Sequence, residues 1–219
     1  MLTCITCGIT LPTQARICPA CGTSAHASKI FTLSFEEMTI ENPWKIVATK
    51  PIYENAWIRV REDAVITPAG KDGIYTTVHF KNKALGIIPV DTEGYTWLVG
   101  QYRYPLHEYS WEIPMGGGKI GIDILESAKR ELLEETGITA QLWTMVARVH
   151  TSNSVTDEEG FVYLAQNLTY GESQPEETEV LKVKKVHLNE AVEMCMRNEI
   201  TDSISVIGIM KVAKLLENS

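Results

Sequence analysis

The chain has 219 residues, 44% hydrophobic and 22% charged, enough for one well-cored domain of ordinary size plus a small appendage. Twenty Lys and Arg against 28 Asp and Glu give a formal charge of -8, a poor balance for binding nucleic acid or an anionic membrane. No apolar run reaches the roughly 18 residues of a membrane helix. Met1-Leu2-Thr3-Cys4 also lacks the basic-then-apolar pattern of a secretory leader, so a cytoplasmic location and no membrane partner are expected.

Cys4, Cys7, Cys18 and Cys21 open the chain with the spacing C-x2-C-x10-C-x2-C, and each pair runs on into a glycine, Gly8 or Gly22. Two intervening residues let both thiolates of a pair reach one ion, and the glycine permits the tight turn that follows. In a reducing compartment this spacing predicts Zn²⁺ rather than two disulfides. Four thiolates complete a tetrahedral shell, so the site is structural, and metal binding supplies the folding energy, on the order of 10 kcal/mol. Residues 1–25 resemble a zinc ribbon, a module that docks on a protein partner, binds nucleic acid or braces a neighbour, and the sequence does not choose among these. His26 reads as a solvated loop residue and Cys195, in an apolar helical stretch, as a buried small side chain.

Residues 26–42 read as a linker, and 43–219 as one domain. Alternating apolar patterns predict strands over 44–53, 57–66, 74–80, 84–90 and 95–102, separated by Gly, Pro and Asp turn signals. A helix is predicted over 124–136, strands over 142–149, 159–166 and 181–187, and helices over 189–197 and 203–216. The order predicts an α/β (α+β) fold, a mixed sheet sandwiched between helices.

The helix at 124–136 and the stretch before it carry the chemistry. Asp123 is placed as its N-cap, with Glu126 three residues on as in a capping box, and Gly137 as its left-handed terminator. Leu125, Ala128 and Leu132 form the core-facing stripe. Glu131 and Glu135 lie four apart, a spacing that stacks two like charges and destabilises a bare helix by a few tenths of a kcal/mol. A cation between them reverses that sign, and oxygen-only ligation favours Mg²⁺ or Mn²⁺. Arg130 and Glu134 are also four apart and positioned to pair. Three glycines, Gly116, Gly117 and Gly118, precede the helix and are read as a loop that lets backbone approach a phosphate. By itself the acidic face is more often plain solvated surface; the glycines and the capped helix change that.

Gly116, Arg130, Glu131, Leu132, Glu134, Glu135, Gly137 and Ile138 match, in register, the Nudix box G-x5-E-x7-R-E-U-x-E-E-x-G-U. Ile122 departs from it, standing where the box has its first glutamate. The resemblance implies that Glu131 and Glu135 bind metal, that the Met115 carbonyl completes the shell, and that Glu134 contributes a further carboxylate. Leu98–Tyr104 and Trp111-Glu112-Ile113-Pro114 resemble the branch that cleaves ADP-ribose and NDP-sugars. There, a residue at the place of Arg103 faces substrate phosphates, where a surface salt bridge is the plain alternative; Glu112 binds a ribose hydroxyl or orients the loop. Gly116 and Gly117 line the substrate. The proton acceptor in that branch comes from a mobile loop, here 151–160, with Glu158 as first choice and Asp157 and Glu159 as alternatives. His79, His107, His150 and His187 read as structural or solvated, and Tyr102, Tyr104 and Trp111 as core rather than base-stacking residues.

The resemblance thus implies a pyrophosphatase acting on a small nucleotide conjugate, working as a homodimer. A dinucleotide (NADH) pyrophosphatase is a second enzymatic reading, since that group also carries a four-cysteine motif, but its Ser-Gln-Pro-Trp-Pro-Phe-Pro segment is absent. Ile122 motivates a third reading, a weakened Nudix domain serving as nucleotide sensor or scaffold. On the zinc expectation, Cys18→Ser should lose the bound zinc, measured by metal analysis of the purified protein, while hydrolysis stays within about two-fold of wild type because a closed four-thiolate site takes no part in the chemistry.

Overall fold

The computed structural model describes residues 2–3, 10–11, 41–173 and 181–217. The chain divides into two units, 1–43 and 44–219. In the first, β1 (Leu2–Thr3) pairs antiparallel with β2 (Thr10–Leu11). Cys4, Cys7, Cys18 and Cys21 lie outside the described residues, as does most of the 26–42 stretch.

Among the described residues, the second unit carries three sheets and three helices. Strands β3 (Lys45–Glu54), β4 (Ile58–Ile66) and β5 (Asp72–Phe80) form an antiparallel meander. Strands β6 (Asn82–Pro89), β9 (Met115–Lys119), β10 (Ile138–His150) and β11 (Glu159–Tyr170) form a mixed sheet in the order β10-β11-β6-β9, with β11 and β6 parallel. Strands β7 (Tyr95–Arg103), β8 (Glu108–Glu112) and β12 (Lys182–His187) make the third, in the order β12-β7-β8. The helices are α1 (Ile124–Thr136), α2 (Leu188–Met196) and α3 (Ser203–Leu216).

Strand β6 shows why helices cover both faces of the mixed sheet. From Ala84 on, its residues are apolar on both sides of the pleat, as a strand buried on both faces must be. Leu85 and Ile87 belong to a core with Ala128 and Leu132 of α1, and Ile88 to a second core with Ile204 and Ile209 of α3. All of these except Ile204 (4%) are fully buried. This is the expected sandwich of a mixed sheet between helices.

Helix α1 begins and ends where its caps require. The Asp123 carboxylate accepts from the Leu125 and Glu126 amides, and Gly137, at φ 71°, reverses the chain. Only half of the capping box forms as expected, because the Glu126 carboxylate pairs with Lys129 at 2.7 Å. Since Gly137 turns the chain so sharply, β10 starts at once at Ile138, four residues before the predicted start.

The glycine stretch is the main departure. Residues 116–118 are not a loop: they belong to β9, paired antiparallel with β6 through Leu85↔Gly116, Ala84↔Gly117 and Lys83↔Gly118. Glycines disfavour strands, so pattern reading passes over this one. β8 was unassigned in the sequence for a similar reason, its five residues being mixed polar and aromatic. Cys195 is buried as expected, and burial pushes its thiol up to about 11, which keeps it protonated. Among the described residues no helix is long and apolar enough to cross a membrane.

Gly137 has no room for a side chain, since a methyl there would collide with the Gly171 carbonyl. Gly137→Ala should therefore lower unfolding free energy by about 1–3 kcal/mol, read as a drop in the urea midpoint at unchanged slope.

Candidate active site

The site is built by packing α1 against β9. The Glu135 carboxylate is 4% exposed, which would be costly for a charge without partners. Its Oε2 accepts the Met115 amide of β9 at 2.9 Å. One helical turn earlier, Glu131 lies directly over Gly116, where a methyl would collide with the Glu131 carboxyl carbon. The absent side chain at Gly116 is thus what lets a carboxylate sit against the strand. The two acids stack at the i, i+4 spacing, and both meet β9.

Arg130 caps this arrangement on its outer side. It donates to Glu131 at 2.5 Å and to Glu134 at 2.6 Å, so the expected Arg130–Glu134 pair forms. Partial burial opposes the Arg130 charge, but the two neighbouring carboxylates outweigh it and its pKa is raised. Glu134 is therefore engaged by Arg130, whereas Glu135 is turned to the strand. Among the described residues no three His, Cys, Asp or Glu side chains stand together as a ready-made metal group. The donors at hand are two carboxylates beside a glycine-walled cradle, all oxygen, a set that fits a hard divalent cation. Ile122 is 53% exposed in the turn that leads into α1.

Arg103, at the end of β7, forms a two-pronged pair with the Glu112 carboxylate of β8, with Nε to Oε1 at 2.9 Å and Nη2 to Oε2. Glu112 is 3% exposed. The pair sets the Arg103 direction and is chiefly responsible for its raised pKa, with weaker attraction from Asp202 and Glu135. Thus Arg103 sits within electrostatic range of Glu135, and Glu112 orients it. Gly117 is in the strand, its α-carbon facing the Asn82 side chain.

Sheet register locates the third group. Gly160↔Ala84 and Ala84↔Gly117 form one row, so the start of β11 lies two strand spacings, about 10 Å, from β9. The loop before it carries the acids. Asp157 pairs with His79 at 2.5 Å, and Glu159 pairs with Lys83 at 2.7 Å and with Arg148. Glu158 is half-buried and accepts from the Thr151 hydroxyl at 2.5 Å, with no cationic partner among the described residues. Of the three, Glu158 alone keeps a carboxylate uncommitted to a cation.

Two features were not read from the sequence. Ser205, fully buried in α3, accepts the Ile113 amide at 3.1 Å and so fixes the corner between β8 and β9. A serine inside an apolar helix gives no signal of this. His79 reads from the sequence as structural or solvated, and the structure pairs it with Asp157, 78 residues away. Tyr102 and Tyr104 depart from expectation: they are 59% and 80% exposed, because β7 runs out of the core at this end, while Trp111 packs against the core.

Comparisons with known proteins identify the family. The NUDIX domain model matches residues 81–204, and the model of a nucleoside diphosphate sugar hydrolase N-terminal domain matches 44–78. The chain is 32% identical over 167 residues to an ADP-ribose pyrophosphatase of Bacillus subtilis, covering 75% of this chain and 90% of that one. A Mycobacterium tuberculosis protein of the same description is 30% identical over 179 residues, covering 78% and 84%. A methanol dehydrogenase activator of Bacillus methanolicus is 30% identical over 177 residues, covering 80% and 91%. The crystal structure of an ADP compounds hydrolase superposes with a TM-score of 0.72 at 19% identity, over 80% of this chain and 95% of that one, which establishes the shared fold. The chain belongs to the Nudix family and is a Nudix hydrolase.

Gly116→Ala forces Glu131 off β9. Turnover should fall by about ten-fold or more, while circular dichroism and the thermal midpoint stay close to wild type; unchanged turnover would contradict the role given to this contact.

Proposed function

We propose that this chain hydrolyses the pyrophosphate bond of a nucleoside diphosphate joined to a sugar, ADP-ribose or an NDP-sugar, giving a nucleoside monophosphate and a sugar phosphate. The observation that carries the reading is the pair Glu131 and Glu135, stacked on α1 and seated against the glycine strand β9. The matches to ADP-ribose pyrophosphatases and to the nucleoside diphosphate sugar hydrolase N-terminal domain support the substrate class.

A divalent cation, Mg²⁺ or Mn²⁺, would neutralise phosphate charge and acidify water when bound. Glu131 and Glu135 would hold it, with the Met115 carbonyl beside them and Glu134 as a further carboxylate. The remaining steps belong to the chain. Arg103, aimed by the buried Glu112, draws the phosphate oxygens and stabilises charge as it moves to the leaving group. Gly116 and Gly117 leave the backbone of β9 open to the substrate. Glu158 accepts the proton of the attacking water, a role that Asp157 and Glu159 fit less well because each is tied to a cation.

The reading extends to assembly. All ten residues of β3 are exposed, and Ile46, Val47, Ile52 and Tyr53 among them are 49–66% open on an edge strand. An exposed apolar edge of this length calls for a partner, and a second copy of the chain is our proposal. Structural Zn²⁺ at Cys4, Cys7, Cys18 and Cys21 rests on the cysteine spacing, and a protein partner for that segment on its resemblance to a zinc ribbon. Ile122, in place of the first box glutamate, favours a second reading, a nucleotide sensor with weak turnover.

Phosphate-release assays with Mg²⁺ across ADP-ribose, NADH, GDP-mannose and UDP-glucose separate these readings. Turnover of ADP-ribose or an NDP-sugar is expected; binding without turnover of any would favour the sensor. Glu135→Gln should lower kcat by at least about 100-fold with the fold intact, and near-wild-type turnover would remove the metal assignment. Ile46→Glu combined with Ile52→Glu should halve the mass seen by sedimentation equilibrium.

A further inference from the structure

The loop at 151–158 is pinned to the meander at several points, and a hollow, half open to solvent, lies between them. Its Thr156 forms a parallel bridge with Val78 of β5. The Val78 amide donates to the Val155 carbonyl at 2.9 Å, and the Tyr75 hydroxyl donates to the Ser154 carbonyl at 2.6 Å. Asp157 accepts from His79 and from the Phe80 amide. Burial opposes Asp157 ionisation, but those hydrogen bonds outweigh it and its pKa lies below the ordinary value. Between loop and strands lies a cavity of about 170 Å³. That is well below the several hundred Å³ of a site for a whole nucleotide conjugate.

The walls of this cavity are cationic and rich in donors. Arg59, Arg61 and His79 line it from β4 and β5, opposite Asn153 and Ser154 of the loop. Cross-strand register puts Arg59 beside His79 and Arg61 beside Thr77 on one face. Arg61 is partly neutralised by Asp63 at 3.2 Å, and His79 and Asp157 balance each other. Glu54, across the ladder from Arg59, is taken by Lys81 at 2.6 Å. Arg59 still attracts Glu54 across the ladder, but among the described residues it has no carboxylate within ion-pair distance. A surplus guanidinium on the wall of a small, donor-lined cavity is the pattern that receives one tetrahedral oxyanion.

We propose that this cavity is a second anion site, apart from the α1–β9 cradle, which takes a single phosphate group, as inorganic phosphate or as a phosphomonoester. Arg59 is its principal ligand, and the Asn153 amide and Ser154 hydroxyl close on the anion from the loop. Filling the site adds bonds between loop and meander, so it fixes the segment that ends in Glu158. The consequence for turnover rests on Glu158 being the proton acceptor; the binding itself does not. Sugar phosphate, released by the proposed reaction, has the chemistry this site accepts, which would make the enzyme responsive to its own product.

Binding is tested in Glu135→Gln protein with EDTA present, so that neither metal nor catalysis contributes. Orthophosphate and ribose 5-phosphate are titrated separately by calorimetry, and amide exchange is followed at Val155–Asp157. Saturable binding of either probe is expected, weakened about ten-fold by Arg59→Ala and less by Arg59→Lys, together with slower exchange at those amides. Tighter binding of ribose 5-phosphate identifies a phosphomonoester as the ligand, and equal binding identifies phosphate itself. No saturable binding, or binding indifferent to Arg59→Ala, overturns the proposal. If binding behaves as expected but ligand leaves wild-type kcat unchanged, the site stands and its coupling to Glu158 falls.

Discussion

The close contact between α1 and the glycine strand β9 governs the rest of this molecule. A carboxylate buried to the extent of Glu135 must be hydrogen-bonded or it unravels its surroundings. Its partner is a main-chain amide of β9, which cannot be withdrawn without disturbing the ladder to β6. Glu131, one turn away, gets its place because Gly116 has no side chain to refuse it. The caps at Asp123 and Gly137, the apolar stripe of Ala128 and Leu132, and the pairing of β6 with β9 all converge on holding that one contact. The helix is thereby fixed in rotation, and with it the direction of the acids.

From this contact the site extends outward by sheet register rather than by sequence proximity. The row Gly160–Ala84–Gly117 carries the start of β11 toward β9 across β6. The turn between β8 and β9 is tied to α3 through Ser205, so the Arg103–Glu112 pair inherits the same frame. Strands buried on both faces are rigid supports, and residues at their ends are held more precisely than residues on free loops. The acid-bearing segment at 157–159 is braced as well, by His79 on one side and by Lys83 and Arg148 on the other.

Much of this was legible in the chain, for identifiable reasons. Helix α1 was placed to the residue because its N-cap, its stripe and its terminator each give a local signal. The strands of the meander alternate and are set off by turns, so they too were found. β9 escaped because three glycines argue locally for a loop, while the reason for the first of them, the Glu131 carboxyl group against Gly116, sits on a helix packed from elsewhere. The sense of Arg103 was likewise hidden. Its motif raised a phosphate contact and a salt bridge equally, and the buried Glu112 that orients it is found only once β7 and β8 pair. Long-range partners such as His79 and Asp157 leave no trace in sequence spacing at all.

The Ile122 position is best understood through Arg130. Of the acids on α1, Glu131 and Glu134 are both engaged by the one Arg130 guanidinium. A cation that binds Glu131 therefore competes with Arg130, and its net gain is its own attraction less that of the pair it loosens. A glutamate at position 122, as in the box, would add one more negative charge to the turn before α1. With an exposed isoleucine there, the local charge is less negative, and a single Arg130 goes further toward balancing it. On the proposed cation-binding reading, Glu131 and Glu135 keep their seats against β9, and what the isoleucine would take away is strength of attraction, which a higher cation concentration would restore by mass action.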